Sequence, residues 1–394
     1  MTNLPVLEDL PDPRGARVLL RADLNVPLRT GRAGRPEVAD DFRIRALLPT
    51  LAWLLERDAR VTICSHLGRP KGRVDPALSM APVCQRLKEL VPEGLFSGVR
   101  VMENLRFDPG EEADDAAFVD QLVRGQDLYV NDAFGAVHRA HASVVGPPAR
   151  LPSVAGRLLA REVEVLERIN EDPARPFVAV VGGAKLTDKL GALNALSEKA
   201  NALLIGGGMC FTFLAALGHE VGASLVDHGR IDSCRQLLES GHRIVLPSDV
   251  VALGPGVTGD TEGAPAQVRR FGRDLLVGWR GLDVGPETVA GFANEISRAA
   301  TVLWNGPMGV FEDERFGAGT WGIADALASS KGFTVVGGGD TTAALRTHGL
   351  AERIDHVSTG GGAMLELIEK GDLPGLAALR ASGGSRPRRA GGEP

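Results

Sequence analysis

Lys185 and Lys189 stand four residues apart, immediately after the run Phe177-Val-Ala-Val-Val-Gly-Gly. A compact ammonium suits a phosphate that is met as a point charge. The Val-rich run reads as a buried strand. Gly182 and Gly183 then free the backbone to turn tightly and approach a ligand. An i, i+4 pair on a following helix shares one face. Composition sets these two apart: of 44 Lys and Arg residues only seven are Lys, leaving 37 Arg. A solvated helix face is the plain alternative for any lysine pair. A position after a strand and a Gly-Gly turn favours a phosphate grip.

Three more glycine clusters come just after β-type runs in the same half. Gly206-Gly-Gly208 follows Ala-Leu-Leu-Ile, Gly337-Gly-Gly-Asp340-Thr341 follows Phe-Thr-Val-Val, and Gly360-Gly-Gly362 follows Val-Ser-Thr. Each puts backbone N–H groups at the carboxyl end of a strand and the start of a helix, a favourable place for an anion. Any one cluster could equally serve packing. Asp340 beside an anion site calls for a cation, which Mg²⁺ bridging nucleotide phosphates would supply. The competing reading makes Asp340 or Thr341 a helix N-cap, and spacing does not decide between them. No Gly-x-x-x-x-Gly-Lys-Ser/Thr loop occurs, and no Gly-x-Gly-x-x-Gly follows a strand with an acidic residue at the right distance.

The first half carries a different set. Arg21-Ala-Asp23-Leu-Asn25-Val-Pro follows the first β-type run, and Arg43 opens a helical stretch. Ser65-His66-Leu-Gly-Arg69 follows the second run, Glu103-Asn-Leu-Arg106 the third, and Asn131-Asp-Ala-Phe-Gly-Ala-Val-His138-Arg139-Ala-His141 the fourth. Several Arg at one sheet edge repel one another unless an anion neutralises them. A small phosphorylated carboxylate held by bidentate forks would do so. Singly, each Arg reads as a surface residue; the recurrence at strand ends lifts the set. His138 and His141 lack a third ligand at a metal-site spacing. No Gly-x-Ser-x-Gly elbow supports serine hydrolase chemistry.

The elements that must place these residues alternate along the chain. Arg17–Ala22, Val61–Cys64, Val99–Met102 and Leu128–Val130 read as strands, with helices at Ile44–Glu56, Ala81–Leu90 and Asp114–Val123. After Pro173 the alternation restarts, with strands at Phe177–Val181, Ala202–Ile205, Arg243–Leu246, Thr301–Leu303, Thr334–Val336 and His356–Val357. This pattern implies parallel sheets covered by helices on both faces. Ala155–Asn170 reads as one amphipathic helix, ended by Glu-Asp-Pro-Ala-Arg-Pro. The domain junction is placed there, giving domains 1–170 and 171–371. Residues from Leu253 to Gly281 read as irregular, and the tail from Ser382 as disordered.

At 394 residues the chain exceeds one comfortable core. A net charge of −6 supplies no basic field for nucleic acid. No apolar run is long enough to span a bilayer. The four Cys are scattered and read as reduced, and the N-terminus shows no secretory pattern, so a cytoplasmic location is expected.

Taken together the motifs resemble the phosphoglycerate kinase family. They are Arg-Ala-Asp-Leu-Asn-Val-Pro, Ser-His-Leu-Gly-Arg-Pro, Glu-Asn-Leu-Arg-Phe, Val-Gly-Gly-Ala-Lys-Leu-Thr-Asp-Lys, Trp304-Asn-Gly-Pro-Met-Gly-Val-Phe-Glu312, Gly-Gly-Gly-Asp-Thr and Ser-Thr-Gly-Gly-Gly-Ala. They run in family order over nearly the whole chain. The resemblance implies phosphoryl transfer between 1,3-bisphosphoglycerate and ADP. It implies two Rossmann-like three-layer α/β/α domains with mainly parallel sheets, joined by an interdomain helix and hinge, with a segment from about 372 packing back on the first domain. It implies that Asp23, Asn25, Arg43, His66, Arg69, Arg106 and Arg139 bind phosphoglycerate. It places the nucleotide on Lys189, Gly208, Gly285, Asn305, Glu312, Gly338, Gly339, Asp340 and Thr341, with Asp340 linked to Mg²⁺ mainly through the phosphates. Arg43 and Lys185 match the residues that stabilise the migrating phosphoryl group. A monomer is implied, with no nucleic-acid or membrane partner. Gly135-Ala-Val-His-Arg stands where the family more often has Gly-Thr-Ala-His-Arg, and Met308 where Val is common. Two other readings compete: a catalytically dead sensor, which should have lost Arg43, Lys185 or Asp340, and a dinucleotide oxidoreductase, which should carry the missing fingerprint.

Overall fold

The structure is a computed structural model and describes residues 4–31, 34–255 and 267–383. The chain divides into two compact units. The first runs to Val165 and takes up the chain again from Asp372; the second runs from Leu166 to Gly371. The division falls inside the helix Arg157–Glu171 rather than after it.

The first unit is built on a five-stranded parallel sheet in the order Val99–Val101, Arg60–Cys64, Arg17–Ala22, Leu128–Asp132, Ser153–Ala155. Its central strands are buried on both faces, so they read as continuous apolar runs rather than alternating ones. Val18, Leu20, Val61, Ile63 and Val130 form one core cluster with Leu47, Leu51 and Leu54 from the helix Phe42–Leu55. Register sets Arg21 opposite both Cys64 and Asn131. The strands therefore end together, and their following loops share one edge. Ser153–Ala155 is a strand that the alternation of runs did not reveal; at three residues it carries too little pattern. The helix Pro374–Gly383 joins this unit through Gly375, whose N–H donates to the Val137 carbonyl at 3.0 Å. A Cβ on Gly375 would lie 2.6 Å from a Val137 methyl, so only glycine admits this approach.

The second unit has a six-stranded parallel sheet in the order Ile244–Val245, Ala202–Ile205, Phe177–Val181, Thr301–Asn305, Phe333–Gly337, His356–Val357. Val181, Ile205, Asn305 and Gly337 are register neighbours at its carboxyl edge. Each is followed directly by a glycine-bearing turn. A separate antiparallel sheet, Val268–Phe271, Val250–Leu253, Arg280–Val284, takes Val268–Phe271 and the end residues Leu253, Arg280 and Gly281 out of the stretch expected to be irregular. That expectation is corrected at those residues, while the other described residues of the stretch are irregular. The strand Val268-Arg-Arg-Phe271 is mostly exposed, so it lacks the apolar run that marks the parallel strands. The tail read as disordered lies, from residue 384 onward, outside the described residues.

Candidate active site

In the first unit the carboxyl edge gathers guanidinium groups around one imidazole. His66 is buried just past the end of the Arg60–Cys64 strand. Burial and the charges of Arg21, Arg106, Arg139 and Arg43 hold its pKa well below the ordinary value, so it is neutral. Arg106 is itself buried, set by the short 3₁₀ turn Leu105–Phe107, and its Nη1 donates to the Gly68 carbonyl at 2.8 Å. Burial and the nearby Arg139 pull its pKa down. Arg139 is half-buried, with Nε donating to His138 Nε2 at 3.2 Å. Arg43 opens the helix Phe42–Leu55 and reaches Asp23 Oδ2 at 3.0 Å and the Asn25 carbonyl at 3.1 Å. Asn25 Oδ1 accepts from the Gly68 N–H at 2.9 Å, which ties the first loop to the Ser65–Arg69 loop. Arg69 follows Gly68 and is exposed.

The structure therefore brings Asp23, Asn25, Arg43, His66, Arg106 and Arg139 to one edge and puts Arg69 at its exposed margin. It adds groups that the strand-end pattern did not single out. Arg21 is fully buried and lies against His66. Glu111 is fully buried beneath Arg21, Ser143 and His141. Its only sequence signal is a place in an acidic first turn at Pro109–Glu112. Asp23, Glu111 and Glu112 supply countercharge, with Glu112 at 3.1 Å from Arg106 Nε. The arginines are thus partly neutralised from within, and the expectation that only a bound anion could do this is corrected.

In the second unit the expectation of two lysines on one helix face is also corrected. The helix begins at Leu190, Lys189 is its N-cap, and Lys185 lies in the preceding loop, exposed. Lys189 turns inward. Its Nζ donates to the Gly182 carbonyl at 2.7 Å, to Asn305 Oδ1 at 2.9 Å and to the Asn305 carbonyl at 3.3 Å. An ammonium has three protons, and the three acceptors match them. Burial lowers the Lys189 pKa to about 8, against the opposing pull of Asp340 and Asp188.

The glycine turns interlock backbone to backbone. A Cβ on Gly306 would stand 2.3 Å from the Gly182 carbonyl oxygen, one on Gly207 2.4 Å from the Gly183 nitrogen, and one on Gly361 2.4 Å from Gly338 Cα. Packing therefore explains part of each cluster, while Gly339 meets nothing within 4 Å and faces open space. Gly338, at φ +103, is the N-cap of the helix Gly339–Thr347. Neither Asp340 nor Thr341 caps that helix. Thr341 Oγ1 accepts from the Gly306 N–H at 2.8 Å, and the Asp340 carboxylate is exposed in the first turn. Asn305, Lys189, Gly338 and Thr341 form one cluster. Gly208 packs instead on the loop that carries Lys185, its Cβ position 3.2 Å from Ala184 Cα. Gly285 caps the helix Pro286–Ser297 and packs on buried Asp249, to whose carbonyl its N–H donates at 2.8 Å. Glu312 is exposed on the loop after the Thr301–Asn305 strand.

Among the described residues no group of three or more His, Cys, Asp or Glu side chains could hold a metal, and no helix is long and apolar enough to cross a membrane.

The model of the phosphoglycerate kinase family matches residues 7–371. A phosphoglycerate kinase from Frankia alni is 53% identical over 396 aligned positions, covering 93% of this chain and 97% of that protein. One from Salinispora arenicola is 52% identical, covering 96% and 99%. The solved phosphoglycerate kinase of Coxiella burnetii superposes with a TM-score of 0.82 at 36% identity, over 97% of this chain and all of that one. That of Pyrococcus horikoshii gives 0.83 at 30% identity. With family model, relatives and solved structures agreeing along its length, this chain belongs to the phosphoglycerate kinase family and is a phosphotransferase.

Proposed function

We propose that this chain transfers the acyl phosphate of 1,3-bisphosphoglycerate reversibly to ADP, giving 3-phosphoglycerate and ATP. The observation that carries the reading is a set of groups suited to an anion in each unit, at the carboxyl edge of its own parallel sheet. Asp23, Asn25, Arg43, His66, Arg69, Arg106 and Arg139 bind the phosphoglycerate. Lys189, Gly208, Gly285, Asn305, Glu312, Gly338, Gly339, Asp340 and Thr341 bind or shape the place of the nucleotide. Lys189 and Asn305 do this from beneath, by holding the glycine turns in register.

The chemistry asks little covalent help. A terminal ADP oxygen attacks the acyl phosphorus and the P–O bond to the carboxylate breaks. A carboxylate leaves without needing a proton, so no general acid is called for. What remains is alignment and positive charge around the equatorial oxygens. Arg43 from one unit and exposed Lys185 from the other supply that charge. Asp340 is the hard oxygen ligand suited to Mg²⁺, exposed and unused in capping; the ion would neutralise nucleotide phosphate charge. A single carboxylate fits an ion held mainly through those phosphates. Closure of the two units about a hinge is part of this proposal, with the helix Arg157–Glu171 and residues 171–176 as the hinge candidates. The protein is further proposed to be a cytoplasmic monomer, which light scattering of the purified chain tests.

A coupled assay of ATP formation from 1,3-bisphosphoglycerate and Mg-ADP tests the main reading, and absence of turnover overturns it. Small-angle scattering with both substrates tests closure, which an unchanged radius of gyration would exclude.

A further inference from the structure

Behind the anion-facing groups of the first unit runs a buried chain of hydrogen bonds that simple charge attraction does not require. Glu111 accepts the Ser143 backbone N–H at 2.9 Å and the Ser143 hydroxyl at 2.6 Å. The Ser143 oxygen in turn accepts Arg21 Nε at 2.7 Å. Arg21 donates Nη1 to the Ala22 carbonyl, and its Nη2 lies 3.3 Å from His66 Nδ1. Arg21, His66, Ser143 and Glu111 are all buried.

The donors and acceptors fix a direction. A guanidinium only donates. The Ser143 oxygen therefore offers a lone pair to Arg21 and its proton to Glu111. His66 Nδ1, facing Arg21 Nη2, likewise carries the lone pair. The one N–H of His66 is then at Nε2. A second proton is opposed by Arg21, Arg43, Arg106 and Arg139, which all act on this ring. On the far side of Glu111, His141 Nδ1 lies 3.8 Å from Oε1 and is itself held neutral, its pKa pulled down to about 4 by burial, by the same Arg106, Arg139 and Arg21, and by His138.

We propose that Glu111 and Ser143 are positioning residues of the phosphoglycerate site: through Arg21 they hold His66 as its Nε2–H tautomer, so that His66 meets an anionic oxygen as a neutral donor and not as a cation. The proposal rests on the assignment of His66 to phosphoglycerate made above. It differs in sign from a simple charge effect. Glu111→Gln makes the edge more positive, so charge alone predicts tighter anion binding. Loss of the relay predicts weaker binding, because Arg21 loses its anchor and His66 its fixed tautomer.

Nitrogen-15 histidine NMR on the full chain without substrate reads the tautomer directly. His66 should show a protonated Nε2 and a bare Nδ1 near neutral pH. Ser143→Ala and Glu111→Gln should each mix the tautomers and raise KM for 3-phosphoglycerate about tenfold, the scale of a lost charge-assisted hydrogen bond. KM for the nucleotide should stay unchanged in both. Ser143→Thr, which keeps the hydroxyl, should stay near the parent. Should Glu111→Gln fail to fold, the small void left by Ser143→Ala still allows the test. The relay is overturned by an imidazolium or Nδ1–H form in the parent, by an unchanged tautomer in both variants, or by tighter anion binding in Glu111→Gln. A correct tautomer whose signals ignore added 3-phosphoglycerate sinks the site assignment instead, and the recognition role with it.

Discussion

At its carboxyl edge the first unit presents side-chain charge to the anion proposed for it: guanidinium groups and a neutral imidazole set in place by buried hydrogen bonds. The second presents backbone at interlocked glycine turns, above a caged ammonium. The contrast follows from what each ligand offers. A small phosphorylated carboxylate presents separated anionic groups that bidentate forks can fix. A nucleotide tail must lie close along a surface, which suits N–H groups at turns without Cβ atoms. It also separates two kinds of fragility. Charge can be altered one residue at a time, whereas an interlocked backbone fails as a unit.

The largest effect expected is on the residue that belongs to neither framework. Lys185 is exposed in its loop and is assigned to the group in transit. Lys185→Ala should lose on the order of 10² or more in kcat, as removal of a transition-state donor does. Both substrate affinities should remain near the parent values. A single-turnover rate equal to the parent's would remove Lys185 from the transfer step.

Next in size is an attack on the glycine framework. Gly306 lies at φ +97, and a Cβ there would stand 2.3 Å from the Gly182 carbonyl and 2.6 Å from Lys189 Nζ. Gly306→Ala should weaken ADP binding on the order of 10- to 100-fold and cost about 1–3 kcal/mol of stability from strained backbone. Calorimetry should find 3-phosphoglycerate binding untouched. Gly362→Ala, with nothing within 4 Å, is the control. Equal effects from the two substitutions would refute the interlocking argument.

Parallel strands with long apolar runs were legible in the sequence because burial on both faces writes itself into composition. The helix start at Leu190 was not. Two lysines at i, i+4 carry no information about where a loop ends, and Lys189 is spent on the Gly182 carbonyl and on Asn305, 116 residues away in sequence. Strand-end residues were readable as a set: Asp23, His66 and Arg106 do converge. Glu111 was not, because one acidic residue in a helix's first turn usually faces water, and only the fold reveals that this one lies under Arg21. The antiparallel strand Val268–Phe271 also escaped notice, being short and exposed.

The pH dependence should divide the two sites by about tenfold per unit. With its pKa near 8, Lys189 loses its proton in the free enzyme as pH rises through that value. kcat/KM for ADP should therefore fall above about pH 8, since this parameter reports the free enzyme. kcat/KM for phosphoglycerate at saturating nucleotide should show no matching inflection, because guanidinium groups stay charged. Stability runs the other way. The folded pKa lies below the ordinary 10.5, so between about pH 8 and 10.5 the unfolded chain binds the extra proton and stability from this group rises with pH. Falling activity with a rising melting temperature in that window separates loss of the ammonium from unfolding. Lys189→Arg should abolish the inflection.

The smallest expected effect lies within the side-chain framework. Arg106 is buried, holds the Gly68 carbonyl and lies beside Glu112, while Arg69 stands exposed on the next turn. Lysine keeps the charge at either place but loses the planar fork. At Arg106 that loss leaves the Gly68 carbonyl unbound and moves the turn that Asn25 also grips, so KM for 3-phosphoglycerate should rise roughly 10- to 30-fold, as for a buried charge-assisted bond. At Arg69 solvent already screens the charge and nothing buried depends on its shape, so Arg69→Lys should cost only about two- to threefold. Steady-state KM values for the two variants, measured at one ionic strength, give the ratio. If Arg69→Lys matched Arg106→Lys, this edge would bind its anion by charge at the surface, and the buried framework beneath it would have no part in recognition.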